Sequence, residues 1–262
     1  MNFICIKTNN LNTQKYLLKN LNNINNIKIS FCKFKSYDNI LVFYKGKNID
    51  LFFKSISNVI SDLIIEIYEP NIMKSFIKND FSYFDSIEFN EIIEKFKNNR
   101  TDIYLENKKI LLNIIYSYIN SNHKLYLEGF ITFRISPYIK KLNQYINTII
   151  NEYLIEKEYL QFISLLKEYV DSQNCYTNFV HLIYSNDNPL LLDENKNIIK
   201  QNINLANAKY LSDISFSCCD IILNTLLNIL PQKIYIHLID KEADEFIETL
   251  KLIFEKRIEI CN

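Results

Sequence analysis

The stretch SPYIKKLNQYINTIINEYLIEKEYLQFISLLKEYV, residues 136–170, decides the fold. Ser136 is a residue type that caps helices, and Pro137 stands where a helix tolerates proline, at its first position. Apolar residues then recur three or four positions apart, which is the spacing of one helix face. They are Tyr138, Leu142, Tyr145, Ile146, Ile149, Ile150, Tyr153, Tyr159, Phe162, Ile163, Leu166, Tyr169 and Val170. The pattern predicts one long helix or a pair of helices with these side chains in a core.

Toward the N-terminus, residues 1–70 mix strand and helix signals. The predicted strands are 3–7, 27–34 and 39–46, and the predicted helices are 13–21 and 49–67. We expect the second helix to end before Pro70, because the residue that precedes a proline disfavours helical backbone. Residues 71–171 show helical spacing, with segments at 71–78, 88–98 and 108–120, and no strand signal.

Toward the C-terminus, mixed structure returns. The predicted strands are 179–185, 190–193 and 233–239, and the predicted helices are 221–230 and 243–260. The residues NDNP (186–189) have turn chemistry, and residues 195–213 have an irregular or weakly helical pattern. The last helix is amphipathic and carries acids in its first turn and bases in its last, which matches the helix dipole.

This order of elements predicts the α+β class. The N-terminal region is mixed β/α, the middle is helical, and the C-terminal region has the order β-β-α-β-α. We predict three parts: an N-terminal α/β region at 1–70, a helical connecting region at 71–124, and a C-terminal α+β region at 125–262.

The composition excludes several function classes. The chain has 262 residues and 48% hydrophobic residues, as in a folded globular protein. Its 45 Ile and 36 Asn against three Ala indicate an A/T-rich genome. Only two glycines occur, whereas phosphate-binding loops of nucleotide-binding proteins need several. No G-x-S-x-G motif of an α/β-hydrolase is present.

The absence of targeting and cysteine motifs predicts where the protein is located and whether it binds a metal or cofactor. The first ten residues do not resemble a signal peptide, and no apolar run is long enough for a membrane span. The six cysteines form no C-x-x-C pair, so we expect free thiols in a reducing compartment. We therefore expect a cytoplasmic protein with no cofactor and no metal.

Charge is spread unevenly although the net charge is zero. Residues 1–60 carry nine Lys against two Asp, whereas residues 61–99 and 240–262 are acidic. A basic face for nucleic acid is one interpretation. Packing of the basic end near acidic segments is favoured, because codon bias enriches Lys and no Arg cluster accompanies it.

Rare polar residues are more informative against this biased background. Arg100, Arg134 and Arg257 are the only arginines, and each offers a planar fork for carboxylate or phosphate. A structural ion pair, for example with a glutamate of residues 156–159, is the favoured role. His181 and His237 lie in predicted strands that could be neighbours in one sheet. A metal site with Cys218 or Cys219 is conceivable, but hydrogen-bonded structural histidines are favoured.

Three glutamates could supply carboxylates for acid–base chemistry, although a solvated helix face explains Glu156 and Glu158 equally well. The resulting candidate polar cluster is Glu128, Arg134, Glu156, Glu158, His181, His237 and Arg257. The sequence assigns no catalytic role within it.

The C-terminal half resembles the YtxC-like family. The segments that carry the resemblance are EGFITFR (128–134), the helix after Pro137, FVHLIY (179–184), LNILPQKIYIHLID (227–240) and the last amphipathic segment. The matching positions are Glu128, Phe130, Phe133, Arg134, Tyr138, Glu156, Lys157, Glu158, Tyr159, Phe162, Leu166, Val170, Gln173, His181, Pro231, His237, Phe254, Arg257 and Cys261. The resemblance covers residues 125–261 and implies a link to endospore-forming bacteria, without an established biochemical activity.

These observations lead to one main hypothesis and two alternatives. The main hypothesis is a non-enzymatic sporulation protein that acts through a protein partner. The first alternative is an uncharacterised enzyme in which the polar cluster lines one cleft, with Arg134 or Arg257 binding an anionic group. The second is nucleic-acid binding through the Lys-rich N-terminal region, which would weaken strongly with salt.

Overall fold

The structure, a computed structural model, describes residues 2–98, 102–185, 189–199, 217–239 and 242–261. The chain divides into two units, Met1–Tyr153 (unit 1) and Leu154–Asn262 (unit 2). Each unit contains one four-stranded sheet among these residues. The α+β class is therefore confirmed, and the two mixed regions form separate sheets. The three-part domain division stays a prediction.

Unit 1 follows the predicted order of strand, helix, strand, strand, helix, and then becomes mainly helical. Its elements are β1 (Asn2–Thr8), α1 (Leu11–Leu21), β2 (Ile27–Phe34), β3 (Tyr37–Tyr44), α2 (Ile49–Leu63), α3 (Glu69–Asp80), α4 (Ser86–Asn98), α5 (Asp102–Ser121), β4 (Lys124–Tyr126), α6 (Leu127–Arg134) and the first part of α7 (Ser136–Ser172). The predicted segment 136–170 is thus one continuous helix.

The first sheet has the strand order β2-β3-β1-β4. β1 runs antiparallel to β3 and parallel to β4. Ile4 and Ile6 pair with Val42 and Ile40 and are buried on one face. Because β1 and β4 are parallel, their carboxyl ends lie at the same edge, where α1 and α6 begin.

The prediction that a helix ends before Pro70 is wrong. A π-helical turn, Ile64–Tyr68, connects α2 directly to α3. In this turn the Glu69 N–H bonds to the carbonyl of Ile64, five residues back. Pro70 then occupies the first turn of α3, the part of a helix that tolerates proline. The wider turn therefore lets the chain stay helical through the proline.

The prediction that residues 71–171 contain no strand is also wrong, because β4 pairs with β1. This strand has only three residues, of which Leu125 alone is buried. Three residues are too few to show a period of two. The pairing partner lies about 120 residues away in the sequence, so only the tertiary structure reveals it.

Unit 2 contains a mostly parallel sheet with the order β6-β5-β7-β8. Its elements are the remainder of α7, β5 (Thr177–Tyr184), β6 (Leu190–Leu192), α8 (Cys218–Ile229), β7 (Pro231–Leu238), α9 (Glu245–Phe254) and β8 (Ile258–Cys261). Buried Val180, Leu182, Ile234 and Ile236 form the core with residues of α7, α8 and α9.

The predicted helix 243–260 is too long. α9 ends at Phe254, a 3₁₀ turn follows over Glu255–Arg257, and β8 pairs in parallel with β7. Glu255 has a φ of 41°, which ends the helix. Ile258 and Ile260 are β-branched and suit a strand, so sheet pairing overrides the amphipathic helical pattern. This places Arg257 outside the helix.

Some predictions fall outside the described residues: Arg100, most of the NDNP turn, and most of the segment 195–213. In the part of the chain that the structure describes, no helix is both long and apolar enough to cross a membrane.

Candidate functional site

The predicted polar cluster is divided between the two units. Glu128 and Arg134 belong to unit 1, in the first and last turns of α6. Glu156, Glu158, His181, His237 and Arg257 belong to unit 2.

Glu128 lies at the carboxyl ends of the parallel strands β1 and β4. Its Oε1 accepts hydrogen bonds from the hydroxyl of Thr8 and from the backbone N–H of Asn9, the latter at 3.1 Å. Thr8 is fully buried. Glu128 thereby ties the start of α6 to the end of β1. Its Oε2 is buried and has no hydrogen-bond partner among the described residues.

Two pairs of hydroxyl groups extend the polar surroundings of Glu128. The hydroxyls of Tyr68 and Thr13 are 3.0 Å apart. Burial raises the pKa of Tyr68, the bond with Thr13 opposes this shift, and the nearby Glu128 charge adds to it. The hydroxyls of Tyr37 and Tyr126 are 3.2 Å apart, and this bond is the main cause that raises the pKa of Tyr126 to about 12. Both phenols stay protonated at neutral pH. The sequence pattern does not single out Thr8, Thr13 or Tyr68, because their hydrogen-bond partners are distant in the sequence.

Arg134 is exposed and lines a shallow groove of about 460 Å³. The groove lies between α5 and α6, and Asn113, Ser117, Tyr118 and Phe130 also line it. Among the described residues no acid forms an ion pair with Arg134. The guanidinium could therefore bind an anionic group. Glu128 and Arg134 are at opposite ends of α6, roughly 9 Å apart along the helix axis.

Arg257 has a structural role in unit 2. Its guanidinium donates to the carbonyls of Val170 at 2.8 Å and Pro231 at 3.3 Å, and contacts the Cys175 sulfur at 3.3 Å. These bonds join the end of α7 to the start of β7. The suggested ion pair with a glutamate of residues 156–159 is therefore wrong for Arg257. Backbone carbonyls near the helix end provide its acceptors instead.

His181 and His237 lie side by side on one face of the second sheet. The prediction of neighbouring strands is confirmed, since β5 and β7 are parallel, with His181 opposite Tyr235 and Ile183 opposite His237. His181 Nδ1 is 3.0 Å from His237 Nε2, and the His181 ring stacks on Tyr235. Burial, then the His237 charge, lowers the pKa of His181.

The structure does not complete a metal site around these histidines. Cys219 lies near the hydroxyl of Tyr184, whose side chain is on the opposite face of β5 from His181. Across the described ranges, no group of three His, Cys, Asp or Glu side chains is arranged to hold a metal ion.

Within unit 2, the structure brings His181 and His237 into direct contact. Arg257 bonds at Pro231, six residues before His237 on the same strand, which is a separation of roughly 20 Å. Glu156 and Glu158 are exposed on α7. Within unit 2 the candidates therefore do not share one cleft.

A surface that the sequence analysis missed lies on the second part of α7. Phe162 and Tyr169 were predicted to be core residues, yet they are 54% and 45% exposed. Ile155 and Leu165 are 68% and 65% exposed. The spacing of seven, three and four residues places these four side chains on one helix face, and we call them the α7 apolar row. Exposed apolar side chains on one face are candidates for a protein interaction site.

Comparison with known proteins places the chain in a family. The model of the YtxC-like family matches residues 54–259, so the match begins earlier than the expected 125. A similar curated protein is "Uncharacterized protein YtxC" of Bacillus subtilis (strain 168), 22% identical over 212 residues, which cover 77% of this chain and 74% of the relative. No solved structure matches. The chain belongs to the YtxC-like family.

Proposed function

We propose that this member of the YtxC-like family is a non-enzymatic cytoplasmic protein of endospore formation that binds a partner protein through the α7 apolar row. The observation that carries the proposal is the exposure of Ile155, Phe162, Leu165 and Tyr169 on one helix face. Full burial of such side chains stabilises a complex by roughly 1.5–3 kcal/mol each.

The spacing of the row indicates the kind of partner. Residues 155, 162 and 169 are seven apart, and Leu165 lies three after Phe162. This is the a/d spacing of a helix that packs against another helix. An amphipathic helix of the partner is therefore the expected ligand.

The polar residues support a binding role over a catalytic one. Glu128 and Arg257 are occupied by hydrogen bonds that join strands and helices. The six free cysteines fit a reducing compartment. The sporulation context rests on the family's link to endospore-forming bacteria.

The test compares two variants in the native host. Phe162→Glu with Leu165→Glu places charge in the row, whereas Leu252→Glu places charge at a 47% exposed position of α9. We expect the double variant to fold but not to crosslink to the partner protein that the wild type captures. Cells that carry this variant should form fewer heat-resistant spores. The Leu252→Glu control should behave like the wild type. Normal crosslinking and spore counts for the double variant would refute the proposal.

The His181–His237 contact favours one alternative, an enzyme that moves a proton through this pair. In that case His237→Gln would abolish spore formation while the protein still bound its partner. Under the main proposal, His237→Gln leaves both properties near wild-type values, so spore counts with this variant separate the two functions.

A further inference from the structure

We infer that unit 1 binds an extended peptide segment of another protein in a groove between α3 and the first part of α7. The groove is lined on both sides by hydrogen-bonding side chains, most of them carboxamides, and we call it the amide groove. The inference goes beyond the α7 apolar row, because it concerns other residues and another form of ligand.

Two adjoining depressions form the amide groove, with volumes of about 430 and 420 Å³. They share Phe76 and Asp80 of α3 and Ile139 and Asn143 of α7, so they are continuous. The lining residues extend over 71–80 of α3 and 136–147 of α7, which suits an extended chain segment.

Hydrogen-bonding side chains line both walls at a regular interval. On α3 they are Asn71, Ser75 and Asn79, four residues apart, and on α7 they are Asn143 and Asn147, also four apart. Four residues of α-helix rise 6.0 Å in the ideal geometry. Every second residue of an extended peptide repeats after roughly 6.6–6.8 Å. Each row can therefore meet successive main-chain groups on one edge of a bound strand.

These carboxamides have unused bonding capacity. Asn143 Oδ1 is buried without a hydrogen-bond partner, which is costly unless a donor reaches it. In the described parts of the chain, Asn71 donates to the Ile67 carbonyl at 3.4 Å, and the side chains of Asn79 and Asn147 make no hydrogen bond. A carboxamide offers both donor and acceptor, as the peptide N–H and C=O require.

The abundance of Asn in this chain accounts for the number of carboxamides but not for their placement. A biased genome would scatter Asn over the surface, whereas these residues face one another across a groove with Ile72, Phe76 and Ile139 between them. The apolar floor suits side chains of a peptide. Asp80 and Lys140 supply both signs of charge, which does not favour a polyanion such as nucleic acid.

The experiment uses the full chain and a displayed library of random twelve-residue peptides. Selected peptides are measured by fluorescence anisotropy against the wild type, Asn143→Ala, Asn147→Ala and the matched control Asn151→Ala. Asn151 is exposed one turn further along the same helix and does not line the groove. Alanine favours helix, so all three variants should fold.

We expect Asn143→Ala and Asn147→Ala each to weaken binding by about tenfold and Asn151→Ala to leave it unchanged. Backbone N-methylation of the peptide should weaken binding at alternate residues, because every second N–H faces a row. The Phe162→Glu, Leu165→Glu double variant should bind these peptides normally. The experiment can therefore refute peptide binding by the amide groove without bearing on partner binding by the α7 apolar row.

Several outcomes would overturn the inference. Selection of no peptide that depends on Asn143 would do so, as would an equal loss with Asn151→Ala or peptides that bind as helices. Binding of cellohexaose or chitohexaose that is lost in Asn143→Ala would assign the groove to glycans instead.

Discussion

The two parts of α7 have the same apolar spacing and different surroundings. In residues 136–153, Tyr138, Leu142, Ile146, Ile149 and Ile150 are all at most 2% exposed. In residues 154–172, Ile163 and Val170 are buried, whereas the α7 apolar row remains open to solvent. One helix thus contains a conventional core face and an uncovered one.

The difference shows that the spacing of apolar residues defines a helix face but does not determine whether other elements bury that face. The first part packs against neighbouring helices, as in the contact between the rings of Tyr145 and Phe96 at 5.3 Å. The second part meets the sheet core on one side and α9 through Tyr159 and Thr249, whose hydroxyls are 2.6 Å apart. The α7 apolar row stays exposed on the same part of the helix.

The strongest test of this comparison truncates one isoleucine in each part. Ile150 is 0% exposed, so Ile150→Ala should lower the free energy of unfolding by about 2–5 kcal/mol. Ile155 is 68% exposed, so Ile155→Ala should change it by less than about 0.5 kcal/mol. Urea unfolding followed by circular dichroism measures both. Equal losses would mean that the row is buried in solution.

A second test concerns two tyrosine–glutamate bonds in the first part. Tyr138 donates to Glu69, and both residues are buried, whereas Tyr153 donates to the exposed Glu91 at 2.7 Å. Tyr138→Phe removes a donor from a buried carboxylate and should cost about 1–3 kcal/mol. Tyr153→Phe should cost clearly less in the same urea experiment. The reverse order would contradict the assigned burial.

Acid should reduce the stability of the sheet in unit 2 around His181. The pKa of His181 is lowered in the folded state, mainly by burial, so the folded protein binds fewer protons than the unfolded chain as pH falls through about 6.5. The contribution of His181 to the free energy of unfolding is therefore fully present above about pH 6.5 and declines below it. Hydrogen exchange at pH 7.5 and 5.5, corrected for intrinsic rates, should show reduced protection in β5 and β7. His181→Gln should remove the effect, and unchanged protection in the wild type would exclude it.

The smallest expected effect concerns the ion pair between α7 and the end of α9. Lys167 Nζ lies 2.6 Å from Glu255 Oε1, and both side chains are substantially exposed. Lys167→Met should change the free energy of unfolding by about 0.2–1 kcal/mol, and 1 M salt should largely erase the difference. A loss that persisted in high salt would indicate apolar packing of the Lys167 stem instead.

Local patterns predicted most of the elements correctly. β2 matches its predicted range of 27–34, and the predicted strand neighbours β5 and β7 do pair. The errors occur where distant residues override local preference. β8 replaces the end of a predicted helix because β7 offers an edge with which it can pair. β4 likewise forms because the edge of β1 is available for pairing.

The site was less predictable than the fold. Sequence analysis selected His181 and His237 from their rarity, and the structure places them in contact. It could not assign Arg257 to backbone carbonyls, since acceptors in the main chain have no sequence signature. Nor could it find the Thr8–Glu128 bond, which spans 120 positions of the sequence.

The sequence by itself determined the helical period of α7, the α+β class and the family, because these depend on local spacing and on residue identity along the chain. Only the tertiary structure decided which apolar side chains of α7 are covered and which carboxamides face each other across α3 and α7. The burial of a side chain depends on residues that are distant in the sequence and close in the fold, and a local periodic pattern does not identify those residues.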